Sequence, residues 1–345
     1  REHTGVGFQE LLKKVASGRR TAKNLGAEEA EEAMEAMLRG EASPGQAAAF
    51  LTAMRFKGPT EEELVGFVKA IRSRARRVEA KLSCIDCSGP YDGRSRTPNL
   101  SVASSIVAAA GGVPVMIHGA RSLPPKRGVT GGDVLEALGL NVELEPDAAV
   151  RMLAETGVGF ILESRFSPEL ERLRGLREEL GFRTVINTAE LLLNPARAPS
   201  MLIGVFHAPF VEKLCRAAAM LGAERVLAFQ GIEGSDELPL RSTRALEFRG
   251  GEVRELVIEP RGAGLGAKEE ARFASAAECA ALTKEVLSGN EHKHAPGVLL
   301  NAGVRMYAGG KATSIAEGVE NAKEAVGSGK AIAKLEGIVR ASGEP

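Results

Sequence analysis

Residues Cys84 to Asp133, CIDCSGPYDGRSRTPNLSVASSIVAAAGGVPVMIHGARSLPPKRGVTGGD, carry the pattern that decides the fold. An apolar start ends at Asp86, and a turn-rich loop with Gly89, Gly93, Arg94 and Arg96 follows. Such a loop can turn several backbone N–H groups toward one anion. Asn99 and Ser101 stand where a helix N-cap belongs, and Val102 to Ala110 reads as a helix of small residues whose positive dipole end faces the same anion. The β-branched run VPVMI then closes on His118, Gly119, Ala120, Arg121 and Ser122, where ligands bind in open α/β sheets. Two phosphate-suited loops at neighbouring strand ends point to a polyphosphate ligand.

Outward from this stretch the pattern divides the chain. Toward the N-terminus only helical periodicity is present: residues 8–17, Gly26 to Arg39, a helix capped by Ser43 with Pro44 at its first position, and one capped by Thr60 and Glu63. The charge run 72–81, RSRARRVEAK, reads as a solvated helix end. Toward the C-terminus strands alternate with helices, at Leu82 to Asp86, Val113 to His118, Gly159 to Leu162, Leu202 to Val205 and Val226 to Phe229. That alternation predicts a mainly parallel sheet with crossover helices. Two segments break the rhythm: Pro168 to Pro195 is helical without a strand, and Arg244 to Ile258 reads as an antiparallel hairpin. The expected architecture is α/β, with a small all-α unit (1–82, onto which 167–196 fold back) and a large α/β unit (83–166 and 197–345).

Composition narrows the function. The 345 residues hold 45 Lys plus Arg and 45 Asp plus Glu, so no net positive charge favours a nucleic-acid backbone or an anionic lipid surface. With no Trp and two Tyr, a base-stacking platform is hard to assemble. The start lacks a signal-peptide core and no apolar run reaches about 18 residues, so a cytoplasmic protein without membrane spans is expected. Four cysteines do not make a disulfide framework; Cys84 and Cys87 form one C-x-x-C, best read as buried reduced thiols.

A second polar cluster, QGIEGSDELPL, follows the strand Val226 to Phe229 and brings Glu233, Asp236 and Glu237 to one strand end. Hard carboxylate oxygens near a phosphate loop are the ligands that Mg²⁺ takes.

These stretches together resemble the anthranilate phosphoribosyltransferase family, within glycosyltransferase family 3. The carrying motifs are Asn99 to Ser104, HGARS (118–122), DVLEALGLNVEL (133–144), LLNPAR (192–197), SDEL (235–238) and the run from Asn301 to Ala331. The resemblance implies a helical unit that mediates a homodimer and a cleft that binds phosphoribosyl pyrophosphate (PRPP), Mg²⁺ and an aromatic amine, with pyrophosphate leaving ribose C1. By the same match Gly89, Asp92, Gly93, Arg94, Asn99, Ser101, Ser104, Lys126 and Thr130 would face PRPP. Ser101, Asp236 and Glu237 would hold Mg²⁺, and His118, Gly119, Ala120 and Arg177 would face the amine. Departures from the family pattern fall in the cleft. The family's GTGGDG is GPYDGR here, K-H-G-N-R-S is Ile117 to Ser122, and N-x-x-G-P is Asn187 to Leu191. Alternatives on the same scaffold are a non-catalytic protein binding nucleic acid or a phosphorylated small ligand, and a nucleoside phosphorylase.

Overall fold

The computed structural model describes residues 7–18, 20–78, 80–266 and 272–343. Four helices come first: α1 (Phe8–Ala16), α2 (Ala27–Arg39), α3 (Pro44–Lys57) and α4 (Glu61–Arg74). Capping boxes start α3 at Ser43 and Gln46 and α4 at Thr60 and Glu63. Gly66 lets α4 cross tightly on α2, since a Cβ there would lie 2.2 Å from the Ala27 carbonyl oxygen. The charge run after α4 is less solvated than its composition suggests. Arg72 turns inward and donates to the carbonyls of Leu193 and Leu192 at 2.8 and 2.9 Å, and burial, with Arg197 nearby, lowers its pKa to about 9.

The remaining chain runs β1 (Ile85–Cys87), α5 (Ser101–Ala110), β2 (Val115–Gly119), α6 (Gly131–Ala137), α7 (Pro146–Thr156), β3 (Val158–Leu162), then the short helices α8 (Glu163–Phe166), α9 (Pro168–Glu171), α10 (Arg174–Leu180) and α11 (Val185–Glu190). It continues through β4 (Ser200–Val205), α12 (Pro209–Met220), β5 (Arg225–Gln230), β6 (Thr243–Arg249) and β7 (Glu252–Ile258) to α13 (Ala276–Leu287), α14 (Ala295–Ala308), α15 (Ile315–Gly327) and α16 (Lys330–Ser342). The seven strands form one sheet in the order β3-β2-β1-β4-β5-β6-β7. Pairing is parallel from β3 to β5 and antiparallel through β6 and β7.

Strand order reverses at β1, which pairs with β2 on one side (Asp86 with Met116) and β4 on the other (Asp86 with Met201). A crevice outside the carboxyl ends of β1 and β4 follows from that reversal. Helices α9, α10 and α11 contact α2, α3 and α4. All four cysteines are buried free thiols, and burial pushes Cys84 up to about 12 and raises Cys87 well above the usual thiol value. Among the described residues no helix is long and apolar enough to cross a membrane.

Candidate active site

The crevice at the carboxyl ends of β1, β4 and β5 gathers most of the expected site residues around one cavity. Gly89, Gly93, Arg94, Asn99, Ser101, His118, Gly119, Ala120, Thr130, Asp236 and Glu237 line it, with Tyr91 and Phe160. Its volume is only about 20 Å³, room for a single water. The reason is that most of the expected ligand groups already have partners within the chain.

The loop from Gly89 to Thr97 is pinned from several sides. Asp92 accepts from Arg183 Nη2 on both carboxylate oxygens at 2.7 Å and lies 3.3 Å from Lys126 Nζ. Glu233 accepts from the backbone N–H groups of Ser95, Arg96 and Thr97, each at 3.0 Å, and from the Thr97 hydroxyl at 2.7 Å. Burial alone would raise the Glu233 pKa, but these bonds and the nearby Arg94 hold it down at about 2. Its backbone is in the left-handed region (φ 51°), a conformation that costs free energy in a residue with a Cβ. Lys126, expected to meet phosphate, donates to the Glu233 carbonyl at 3.0 Å, and burial lowers its pKa to about 8.

Two expectations are corrected at the start of α5. Neither Asn99 nor Ser101 caps the helix: Leu100 is the N-cap and makes no side-chain cap bond. Instead Glu237 Oε1 accepts from the N–H groups of Leu100 and Ser101 at 3.1 and 3.0 Å. The positive helix end assigned to a ligand anion therefore faces the chain's own carboxylate. Other expected PRPP contacts are also engaged. The Ser104 hydroxyl donates to the carbonyls of Leu100 and Val298, and Thr130 caps α6 through Asp133.

Asp236 and Glu237 each carry a buried arginine. Arg94 Nη1 lies 3.1 Å from Glu237 Oε1 and donates to Ser235 Oγ at 2.5 Å. Arg305, on α14, pairs with Asp236 Oδ2 and donates to Ser101 Oγ at 2.9 Å, Ser105 Oγ at 3.1 Å and the Asn301 carbonyl at 3.0 Å. All four charged residues of these two pairs are at most 1% exposed. Burial raises the Glu237 pKa against the pull of Arg94.

The expected metal ligands are thus of the right chemical kind but lack free charge. Asp236 Oδ1, Glu237 Oε2 and Asn99 Oδ1 are hard oxygens with no donor among the described residues. Two guanidiniums balance the two carboxylates, however, and Mg²⁺ keeps several waters that about 20 Å³ does not admit. Among the described residues no group of three or more His, Cys, Asp or Glu is arranged to hold a metal ion. The residues present do not fit Mg²⁺ in this arrangement.

On the acceptor side the Tyr91 ring is buried against Ala120 and Leu123. Its hydroxyl is hydrogen-bonded to His118 Nδ1 at 2.5 Å, and His118 Nε2 lies 3.3 Å from Asp86 Oδ2. Arg177, expected to face the amine, pairs at 2.5 Å with Glu190. Burial pushes the pKa of both Glu163 and Glu190 up, against the pull of Arg177. Arg305, Arg183 and Glu163 have no place in the cleft from sequence reasoning, and Glu190 has one only as part of the altered stretch Asn187 to Leu191. The one sequence signal for Arg305 is a lone cation in the otherwise small and apolar helix from Ala295 to Ala308, four residues after Asn301.

Comparison with known proteins agrees with this architecture. The profile "Glycosyl transferase family, a/b domain" matches residues 85–332, and "Glycosyl transferase family, helical bundle domain" matches residues 9–75. The anthranilate phosphoribosyltransferases of Thermomicrobium roseum and Rubrobacter xylanophilus are each 40% identical to the chain, over 94% and 97% of both partners respectively. The crystal structure of anthranilate phosphoribosyltransferase from Thermus thermophilus superposes with a TM-score of 0.84 at 35% identity, covering 96% of this chain and 99% of that one. The Saccharomyces cerevisiae enzyme in complex with PRPP and Mg shares the fold at 22% identity, with a TM-score of 0.84 and 97% of each chain covered. With both of its units matched, the chain belongs to the glycosyl transferase family that joins a helical bundle domain to an a/b domain.

Proposed function

We propose that the chain is a phosphoribosyltransferase of the anthranilate type, moving the phosphoribosyl group of PRPP to an aromatic amine with release of pyrophosphate. The observation that carries this reading is 40% identity to anthranilate phosphoribosyltransferases over 94% of both chains. The yeast enzyme is in complex with PRPP and Mg, and of the two PRPP comes to this chain as part of the same proposal.

In such a reaction the bond from ribose C1 to the diphosphate oxygen breaks as the amine nitrogen approaches C1. No nucleophilic side chain is required; the site must stabilise a departing anion and orient the amine. In this reading the N–H groups of the Gly89 to Thr97 loop and Lys126, once released from Glu233, meet the anion. His118, Gly119, Ala120 and Arg177 meet the amine. Access requires Tyr91 and its loop to withdraw from the cavity.

A homodimer formed through the helical unit and a cytoplasmic location belong to the same reading; light scattering in solution tests the first. A second reading, a binding protein on this scaffold without transfer, is favoured by the closed 20 Å³ cavity. One assay separates them: pyrophosphate release from PRPP, with anthranilate supplied as acceptor. Turnover supports the transferase. Ligand binding without turnover, across a panel of aromatic amines, overturns it in favour of the second reading.

A further inference from the structure

Two of the oxygens expected to hold a metal, Ser101 Oγ and Asp236 Oδ2, are already held by one guanidinium group. Arg305 Nη2 donates to Ser101 Oγ at 2.9 Å and pairs with Asp236 Oδ2, and the same Ser101 hydroxyl donates to Asp236 Oδ2 at 2.7 Å. A cation at coordination distance from those oxygens and the guanidinium cannot coexist there. Nor is Arg305 free to swing aside, because Ser105 Oγ and the Asn301 carbonyl fix its other nitrogens. Asn301 is itself tied to the acidic loop, its amide exchanging hydrogen bonds with the backbone of Leu238 at 2.7 and 3.1 Å.

The second acid repeats the arrangement from another direction. Arg94 comes from the loop after β1, and meets Glu237 while also holding Ser235 and lying 3.6 Å from Glu233. Helix α14, the loop after β1 and the loop after β5 thus converge on one buried quartet of two carboxylates and two guanidiniums. A divalent ion there would set further positive charge beside two guanidiniums out of reach of water.

We propose, on the reading that this cleft receives PRPP, that Arg305 and Arg94 take the place of a divalent cation at Asp236 and Glu237, so that the diphosphate binds without Mg²⁺. The guanidiniums are permanent counter-ions, and the acids serve to position them and the start of α5. Any phosphorylated ligand then meets a site whose charge does not depend on the metal concentration.

Electron paramagnetic resonance with Mn²⁺ as the probe reads the metal directly. Native protein is expected to leave the free Mn²⁺ signal at full amplitude, whereas Arg305→Met, which frees Asp236, is expected to bind Mn²⁺ at least about tenfold more tightly. If that variant does not fold, Arg94→Met serves, and the native arm decides in either case. Calorimetry with pyrophosphate, in EDTA and in millimolar Mg²⁺, is expected to give affinities within about threefold of each other. Stoichiometric Mn²⁺ uptake by the native protein, or pyrophosphate binding that appears only with Mg²⁺, overturns the proposal and leaves the transferase reading intact. Absence of pyrophosphate binding in both solutions overturns that reading instead, and the native Mn²⁺ titration still decides the metal question.

Discussion

Tyr91 shows how one side chain reshapes this cleft. Only 2% of it is exposed, and its hydroxyl is the partner of His118 Nδ1. Tyr91→Phe keeps the ring and leaves the buried His118 Nδ1 without its partner, so unfolding in urea should report a loss of about 1–2 kcal/mol. An unchanged midpoint would mean that the bond contributes nothing. Glu163 gives a prediction with a pH sign. Burial first, then the neighbouring Glu190, raises its pKa well above 4.5. An acid whose folded pKa is raised adds stability that is fully present below the unfolded value and is lost as pH climbs above 4.5 toward the folded one. Glu163→Gln imitates the protonated form and leaves the Arg177–Glu190 pair in place. The variant should therefore lose less stability than the native chain between pH 5 and pH 8, roughly 1 kcal/mol less, as denaturation at the two pH values would show. Equal slopes would place the titration elsewhere.

At the scale of elements, the acidic loop is aimed by what β4 and the end of β5 omit. Gly204 and Gly231 leave room for the Ser235 carbonyl, which would lie 1.6 and 1.7 Å from a Cβ at either position. Gly204→Ala must push Ser235 to Glu237 outward and break both arginine pairs, a loss of about 3–5 kcal/mol read as a fall in thermal midpoint. A variant as stable as the native chain would show that the loop adapts. The sequence made much of this frame legible, because β-branched runs such as VPVMI and capping pairs such as Thr60 and Glu63 report local structure. The start of α16 is not legible in this way, because the helix begins after Gly329 without a side-chain cap. The partners of the site residues were illegible for a different reason. Arg94 with Glu237, Arg305 with Asp236 and Arg183 with Asp92 are joined only by the folded topology, and spacing in sequence carries no trace of such pairs.

For the molecule as a whole, ligand entry is an equilibrium between the closed cleft and an open one in which the Gly89 to Thr97 loop has moved away. Glu233 is the main latch, holding three consecutive backbone N–H groups of that loop. Its carboxylate is depressed to about 2, so the latch is at full strength above pH 4.5 and fades as pH falls toward about 2. A ligand that binds only the open form has its apparent affinity reduced by the fraction of molecules that are open. Glu233→Ala removes the latch without touching the cavity lining, so PRPP should bind the variant more tightly, about tenfold for each 1.4 kcal/mol of closure lost. Hydrogen exchange at Ser95 to Thr97 should accelerate in parallel, since opening exposes those amides. Weaker PRPP binding together with faster exchange would instead make Glu233 a ligand contact, and the closed cleft would then be the form that binds.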